Sequence, residues 1–179
     1  GLPKNIAIDY VADDTVPPVP MDVEKLKQVV LNIVLNGIDA MSSHGGTLTV
    51  RARLASDGRS PSLRTRSPGG GEVRIKRGSV TLGDAVELSF EDEGIGIQPE
   101  DAAKLFIPFF TTKAQGTGLG LAICERIMRG HGGEIEIVSL RDVGSRFTLR
   151  LPLPEAMIDE EPTLLDREPT DVLPPVVAP

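Results

Sequence analysis

Two glycine clusters about twenty residues apart have the residue types and spacing to handle an anion. Asp92-Glu93-Gly94-Ile95-Gly96 follows a strand-like run, Val86-Glu87-Leu88-Ser89-Phe90, and Gly116-Thr117-Gly118-Leu119-Gly120 opens a helical run that continues to Arg129. Glycine lets the backbone approach a ligand closely and supplies positive φ where a loop must turn. A glycine cluster opening a helix aims free N–H groups at an anion, and a nucleotide phosphate is the usual one. Taken alone, the second cluster reads either as such a cradle or as a tight turn. No GxxxxGK[ST] run occurs, which excludes a P-loop.

Three further features bear polar chemistry. Asp92 ends a strand-like run, and a carboxylate placed there is costly unless it is hydrogen-bonded. It either meets a ligand or caps local N–H groups. Asn32 and Asn36 stand four apart in the apolar stretch Gln28–Met41, so they share one helix face. Two amides there are expensive as core alone; the other reading is a polar pair on the helix surface. Between the glycine clusters lies Phe106-Ile107-Pro108-Phe109-Phe110-Thr111-Thr112-Lys113, whose aromatic rings could equally be core.

The four blocks stand in one order: an Asn-bearing helix, DxGxG, FxPFF and GTGLGL. In this the chain closely resembles the catalytic ATP-binding domain of bacterial sensor histidine kinases, with their N, G1, F and G2 boxes. Those kinases share a nucleotide-binding fold with gyrase, Hsp90 and MutL. The resemblance covers roughly Leu2 to Pro152. It implies an α/β fold, a two-layer α/β sandwich (the Bergerat fold) with a mixed sheet and helices on one face. It implies ATP and Mg²⁺ as cofactors. On the matching positions, Asp92 would accept from the adenine amino group and Ser145 would help through water. Gly94 and Gly96 would let backbone pass along the base, with Ile97 packed on the ring. Asn36 would hold Mg²⁺ through its amide oxygen, a hard ligand, and Asn32 would lie beside the phosphates. Gly116, Thr117, Gly118 and Gly120 would wrap the phosphates. Gly37, Ala40, Phe106, Leu119 and Leu121 complete the expected ATP site. Phe106, Phe109, Phe110 and Pro108 would anchor a lid, and Lys113, the basic residue in its middle, is a candidate γ-phosphate contact.

The expected function is transfer of the ATP γ-phosphate to a histidine on a dimerisation domain outside this chain, for phosphorelay signalling. Expected partners are ATP or ADP, that phosphoacceptor domain and a response regulator, with no nucleic acid and no direct membrane contact. The rival readings are an ATPase switch module of the gyrase, Hsp90 or MutL type, and a non-catalytic module that binds nucleotide to dock partners. Neither His44 nor His131 is placed as a phosphoacceptor: one sits in a polar turn and the other in a helix-ending HGG run, so both read as surface or capping residues.

These residues need a scaffold, and hydrophobic periodicity outlines one. Strands are predicted at 6–11, 47–54, 72–75, 86–90, 134–139 and 146–151. Helices are predicted at 23–41, capped by Asp22, from Pro99 to about Leu105, and from Gly118 to Arg129. The runs 72–75 and 86–90 read as paired strands. The stretch 55–71, ASDGRSPSLRTRSPGGG, reads as a flexible surface excursion and is the main departure from the family pattern. The FxPFF block and the segment to Gln115 lack periodicity, as expected for a mobile lid.

Residues 1–152 are thus expected to form one catalytic domain. The segment 153–179, rich in proline and acidic residues, reads as a disordered tail or linker. The start at Gly1-Leu2 reads as that of an excised fragment. A net charge of −7 argues against a partner bound through phosphate neutralisation. Aromatics are 3% of residues, so the core must be mainly aliphatic. The one cysteine, Cys124, excludes an internal disulfide and sits mid-helix, where a buried thiol is expected. No apolar run reaches the roughly 18 residues of a membrane span. The expected location is the cytoplasm, as a free protein or as part of a membrane-bound sensor.

Overall fold

Alternation of side chains along the strands sorts the chain into layers. In the computed structural model, the described residues are 3–55, 72–78, 80, 85–113 and 116–154. The expectations for the excursion beyond Ala55 and for the tail beyond Pro154 fall outside them.

The elements follow in the order β1 (Ile6–Ala12), α1 (Val23–Ala40), β2 (Gly46–Ala55), β3 (Val73–Arg77), β4 (Ala85–Asp92), a 3₁₀ helix (Pro99–Lys104), α2 (Gly120–Gly130), β5 (Glu134–Leu140) and β6 (Gly144–Pro152). The strands form one six-stranded sheet in the order β1-β2-β4-β6-β5-β3. β1 runs parallel to β2, and every other neighbouring pair is antiparallel. The sheet is therefore mixed, as expected. The predicted pairing of the third and fourth strands is corrected: β3 pairs with β5 at the far edge, and β4 lies between β2 and β6. Sequence neighbours pair only when a turn brings them together, and here long-range packing chose otherwise.

On β6, Phe147, Leu149 and Leu151 face the helices, and so do Ile135 and Ile137 of β5. With Leu48, Phe90, Val29, Ile33, Cys124 and Met128 they form the core between sheet and helices. Each such large side chain contributes roughly 1.5–3 kcal/mol on burial. Cys124 is the buried thiol the sequence predicts. Asp22 caps α1 by accepting from the Lys25 N–H at 3.1 Å. His131 is the C-cap of α2; its Nδ1 lies 2.8 Å from the Ile127 carbonyl, and its Nε2 accepts from the Asp22 N–H at 3.2 Å. One imidazole thus ties the end of α2 to the start of α1.

The opposite sheet face carries a ladder of charge. Arg53 Nε donates to Glu87 at 2.8 Å, and Arg150 Nε donates to the other oxygen of Glu87 at 3.0 Å. Arg150 also donates to Glu134 at 2.6 Å and to Glu136 at 3.2 Å. Lys76 and Arg74 of β3 close the series on Glu134 and Glu136, each at 2.7 Å. Opposite charges directly across strands stabilise pairing, so the alternation matches the observed strand order.

Candidate functional site

Asp92 closes β4 at the point where the sheet meets the last turn of α1. It is 4% exposed. Its Oδ1 accepts from the Gly94 N–H at 2.9 Å and the Ser145 N–H at 3.3 Å. Burial pushes the carboxyl up to about 6; the two N–H groups pull the other way, and Glu91 adds to the rise. The capping role considered for Asp92 is therefore real, and it occupies only one oxygen. The second, Oδ2, lies beneath Gly37: a Cβ built there would sit 3.9 Å from it.

The loop after Asp92 needs glycine at 94. A Cβ at this position would lie 2.6 Å from the Cβ of Ala40, too close for any side chain. Removing that side chain seats the loop on the end of α1, where the Ile95 N–H donates to the Ala40 carbonyl at 3.2 Å. Beyond it, the Ile97 N–H donates to Ser139 Oγ at 2.9 Å. Ser139 Oγ donates to the Gly144 carbonyl and lies 3.0 Å from Ser145 Oγ. Asp92, Ser145 and Ser139 occupy one register row across β4, β6 and β5.

A second group gathers at the start of α2. The helix has no side-chain cap and no acidic residue in its first turn. Its leading N–H groups are thus unclaimed by side chains, which suits an anion. Gly118 adopts φ +67 and packs directly on the Phe109 backbone, where a Cβ would collide; the Phe109 N–H donates to its carbonyl at 2.9 Å. Thr117 Oγ1 accepts from the Leu119 N–H at 3.5 Å. Asn32 donates to the Gly120 carbonyl at 3.4 Å and approaches Cys124 Sγ at 3.8 Å. Leu119 and Leu121 are half-buried. Gly116 lies exposed beside Thr111.

The third group sits on the next turn of α1. Lys113 Nζ lies 2.7 Å from both Asn36 Oδ1 and Asp39 Oδ2. A cation thus already bridges the two oxygens, and hard oxygen donors of this kind suit Mg²⁺, which keeps most of its other ligands as water and phosphate. Among the described residues, no group of three or more His, Cys, Asp and Glu could hold a metal.

The aromatic block divides. Phe106 is 7% exposed, under the Arg77 guanidinium at 5.4 Å from the ring centroid. Phe109 is 76% exposed and strained at φ +69. Sequence reasoning missed Asp39 and Ser139. Strand parity could have found Ser139, which takes an inward position after Ile135 and Ile137. Nothing short of the fold brings Asp39 to Lys113. Among the described residues, no helix is long and apolar enough to cross a membrane.

Known proteins agree with this layout. The family described as "Histidine kinase-, DNA gyrase B-, and HSP90-like ATPase" matches residues 21–155. Sensor histidine kinase ZraS of Escherichia coli O157:H7 is 37% identical over 150 residues, covering 84% of this chain and 27% of that protein. The chain thus spans about a quarter of that relative's length. The catalytic domain of histidine kinase ThkA in a nucleotide-free form superposes with a TM-score of 0.57 at 30% identity, covering 83% of this chain and 79% of that one. Full-length ShkA in complex with AMPPNP gives 0.58 at 25% identity, covering 82% of this chain and 25% of that one. With the expected mixed sheet, one-sided helices and four motif blocks all in place, the chain belongs to the histidine kinase-, DNA gyrase B- and HSP90-like ATPases, alongside the catalytic domains of sensor histidine kinases.

Proposed function

We propose that residues 1–152 are the catalytic domain of a sensor histidine kinase, binding Mg-ATP and presenting its γ-phosphate to a histidine on a separate dimerisation domain. The observation that carries this is Asp92: a buried carboxylate with Oδ1 held by two main-chain N–H groups and Oδ2, beside Gly37, in no hydrogen bond among the described residues. An acceptor fixed this way suits the adenine amino group, with Ile97 against the ring and Gly94, Gly96, Gly37 and Ala40 giving the base room. The uncapped start of α2 and the main chain of residues 116–121 suit the phosphates. Asn36 would hold Mg²⁺, which when bound offsets phosphate charge. Lys113, whose Nζ lies against the same turn of α1, would reach the γ-phosphate once it leaves Asn36.

Phosphoryl transfer of this kind is largely positioning and electrostatics. The attacking imidazole carries its own lone pair, so the chain needs no base. An ATPase needs one, and the α1 position four residues before Asn36 is Asn32, an amide that cannot take a proton and is held by Gly120. This favours the kinase over the ATPase switch. The support from relatives is that ZraS and ThkA are named as histidine kinases and that ShkA was solved with AMPPNP. The deciding experiment mixes the chain with a separately made dimerisation segment and γ-labelled ATP. Acid-labile phosphate on the segment, absent with Asp92→Asn at limiting ATP, is the expected result. Label appearing on His44 or His131 instead would overturn the assignment. The response regulator and a location in the cytoplasm belong to the same proposal.

A further inference from the structure

We propose that Ser139 is a positioning residue that sets base specificity, by holding the Ser145 hydroxyl as a hydrogen-bond acceptor beside Asp92. The proposal rests on the adenine-site reading above and deepens it.

One assignment of protons satisfies every group in this cluster. Ser139 Oγ lies 3.0 Å from the Gly144 carbonyl, which can only accept, so the single Ser139 proton goes there. The Ile97 N–H at 2.9 Å takes one lone pair of Ser139. Ser145 Oγ, at 3.0 Å, must then donate its own proton into the remaining lone pair. Ser139 is 0% exposed and Ser145 is 3% exposed, so water does not compete for these bonds. The outcome is that Ser145 has no proton left to offer. It is an acceptor only, directly opposite Ser139 on one side and Asp92 on the other.

Asp92, when ionised, is an acceptor only as well. The polar floor of the site is therefore acceptor beside acceptor. An exocyclic amino group offers two protons and satisfies both, directly or through one water. A keto oxygen at the same ring position offers none and faces two acceptors. A buried polar group left unpaired costs more than a hydrogen bond gains, so a keto purine is rejected. The Asp92 carboxylate supplies half of this filter. Ser139 supplies the other half without touching the base, and it also fixes the Ile97 main chain against which the ring would stack.

The test compares ATP with ITP, which carries a keto oxygen where ATP has the amino group, by titration calorimetry on the full 179-residue chain. In Ser139→Ala, the Ser145 hydroxyl is free to turn and donate. The preference for ATP over ITP should fall about 10-fold, on the order of one hydrogen bond. Loss of the Ile97 anchor alone would weaken both nucleotides alike and leave the ratio unmoved. Ser139→Thr, which keeps a hydroxyl, should restore the ratio. In a Ser145→Ala background, Ser139→Ala should no longer change it. An unchanged ratio in Ser139→Ala, with ATP still bound, overturns the role of Ser139 alone. If the unmodified chain binds neither nucleotide, the adenine-site reading falls and this inference with it. Should Ser139→Ala fail to fold, Ser145→Ala carries the question: a ratio equal to that of the unmodified chain overturns the proposal.

Discussion

The ammonium of Lys113 lies 2.7 Å from the amide oxygen of Asn36. The residue proposed to meet the γ-phosphate therefore covers the oxygen proposed to meet the metal, with Asp39 sharing the contact. Both roles cannot be exercised in this arrangement. Loading the site must exchange one cation for another at Asn36, with Lys113 moving toward the phosphates.

Lys113→Gln should therefore have opposite effects on two measurements. The Mg²⁺ concentration needed for nucleotide binding should fall, because the competing ammonium is gone. The pair is substantially exposed, so the gain is about 1 kcal/mol at most, or up to fivefold. Phosphoryl transfer to the dimerisation segment should fall. Calorimetry across a Mg²⁺ series, paired with transfer assays, checks both; a higher Mg²⁺ requirement would remove the exchange.

Asp92 makes affinity and stability move in opposite directions with pH. Its carboxyl is raised from 3.8 to about 6, chiefly by burial. The folded chain then binds more protons than the unfolded chain in that window, so this group's contribution to stability rises as pH falls from about 6 toward 4. Above pH 6 the buried charge costs on the order of 3 kcal/mol. Acceptance from an amino group requires the ionised form, so ATP affinity should drop as pH falls through 6. Asp92→Asn should bind ATP about 10- to 100-fold more weakly, since it loses a charged acceptor. It should melt higher than the unmodified chain at pH 8 and bind with no such pH step. Titrations and melts at pH 5 and pH 8 test this, with the variant correcting for protonation of ATP itself.

Asn32 predicts slow hydrolysis. A general base is typically worth about 10²- to 10⁴-fold, and this position offers none. The chain with Mg-ATP should release phosphate at a rate barely above background. Asn32→Ala should leave that rate unchanged while loosening α2 through the lost Gly120 contact. Robust phosphate release that Asn36→Ala removes would favour the ATPase reading.

Arg150 and Thr148 form a pair of opposite expectations on the charged face. Arg150 is 2% exposed and joins three carboxylates. Arg150→Met leaves them buried together and should cost about 3–5 kcal/mol, lowering the melting temperature by roughly 10 °C. Thr148, in the same strand as Arg150 and opposite Glu136, has a buried hydroxyl with no hydrogen-bond partner among the described residues. Thr148→Val keeps the shape and removes that hydroxyl, so stability should rise by about 1 kcal/mol. Thermal melts of the two variants decide; a destabilised Thr148→Val would mean that the hydroxyl has a use.

The sequence made local features plain and left pairwise geometry hidden. The apolar spacing of Val29, Ile33 and Gly37 specified α1 and its buried face, and all three are buried. Every predicted strand is present, because alternation is a local signal. The position of β3 was not visible, since its partner β5 lies some sixty residues on and no turn announces it. The same holds within the site. Asp92, Asn36 and the glycines announce themselves by type, whereas Asp39 matters through Lys113, 74 residues away. Ser139 matters through a hydroxyl that the sequence does not orient. Phe109 reads like Phe106 as a residue type, yet a positive φ turns it outward.

The edge position of β3 fixes how much chain the fold must keep. β2 and β3 point the same way, and four strand spacings separate them. The gap is about 19 Å across the sheet, and the end of β2 and the start of β3 also lie at opposite ends of it. The registers offset Ala55 and Val73 by seven residues along the strands, so they must be joined over roughly 30 Å, which an extended chain covers in no fewer than about nine residues. Shortening the 55–71 stretch to a tight turn would pull β3 off its edge, whatever the stretch itself contributes. A library of trimmed variants should tolerate deletions until that reach is exhausted and then lose the fold abruptly, so the connection between these two strands has a minimum length.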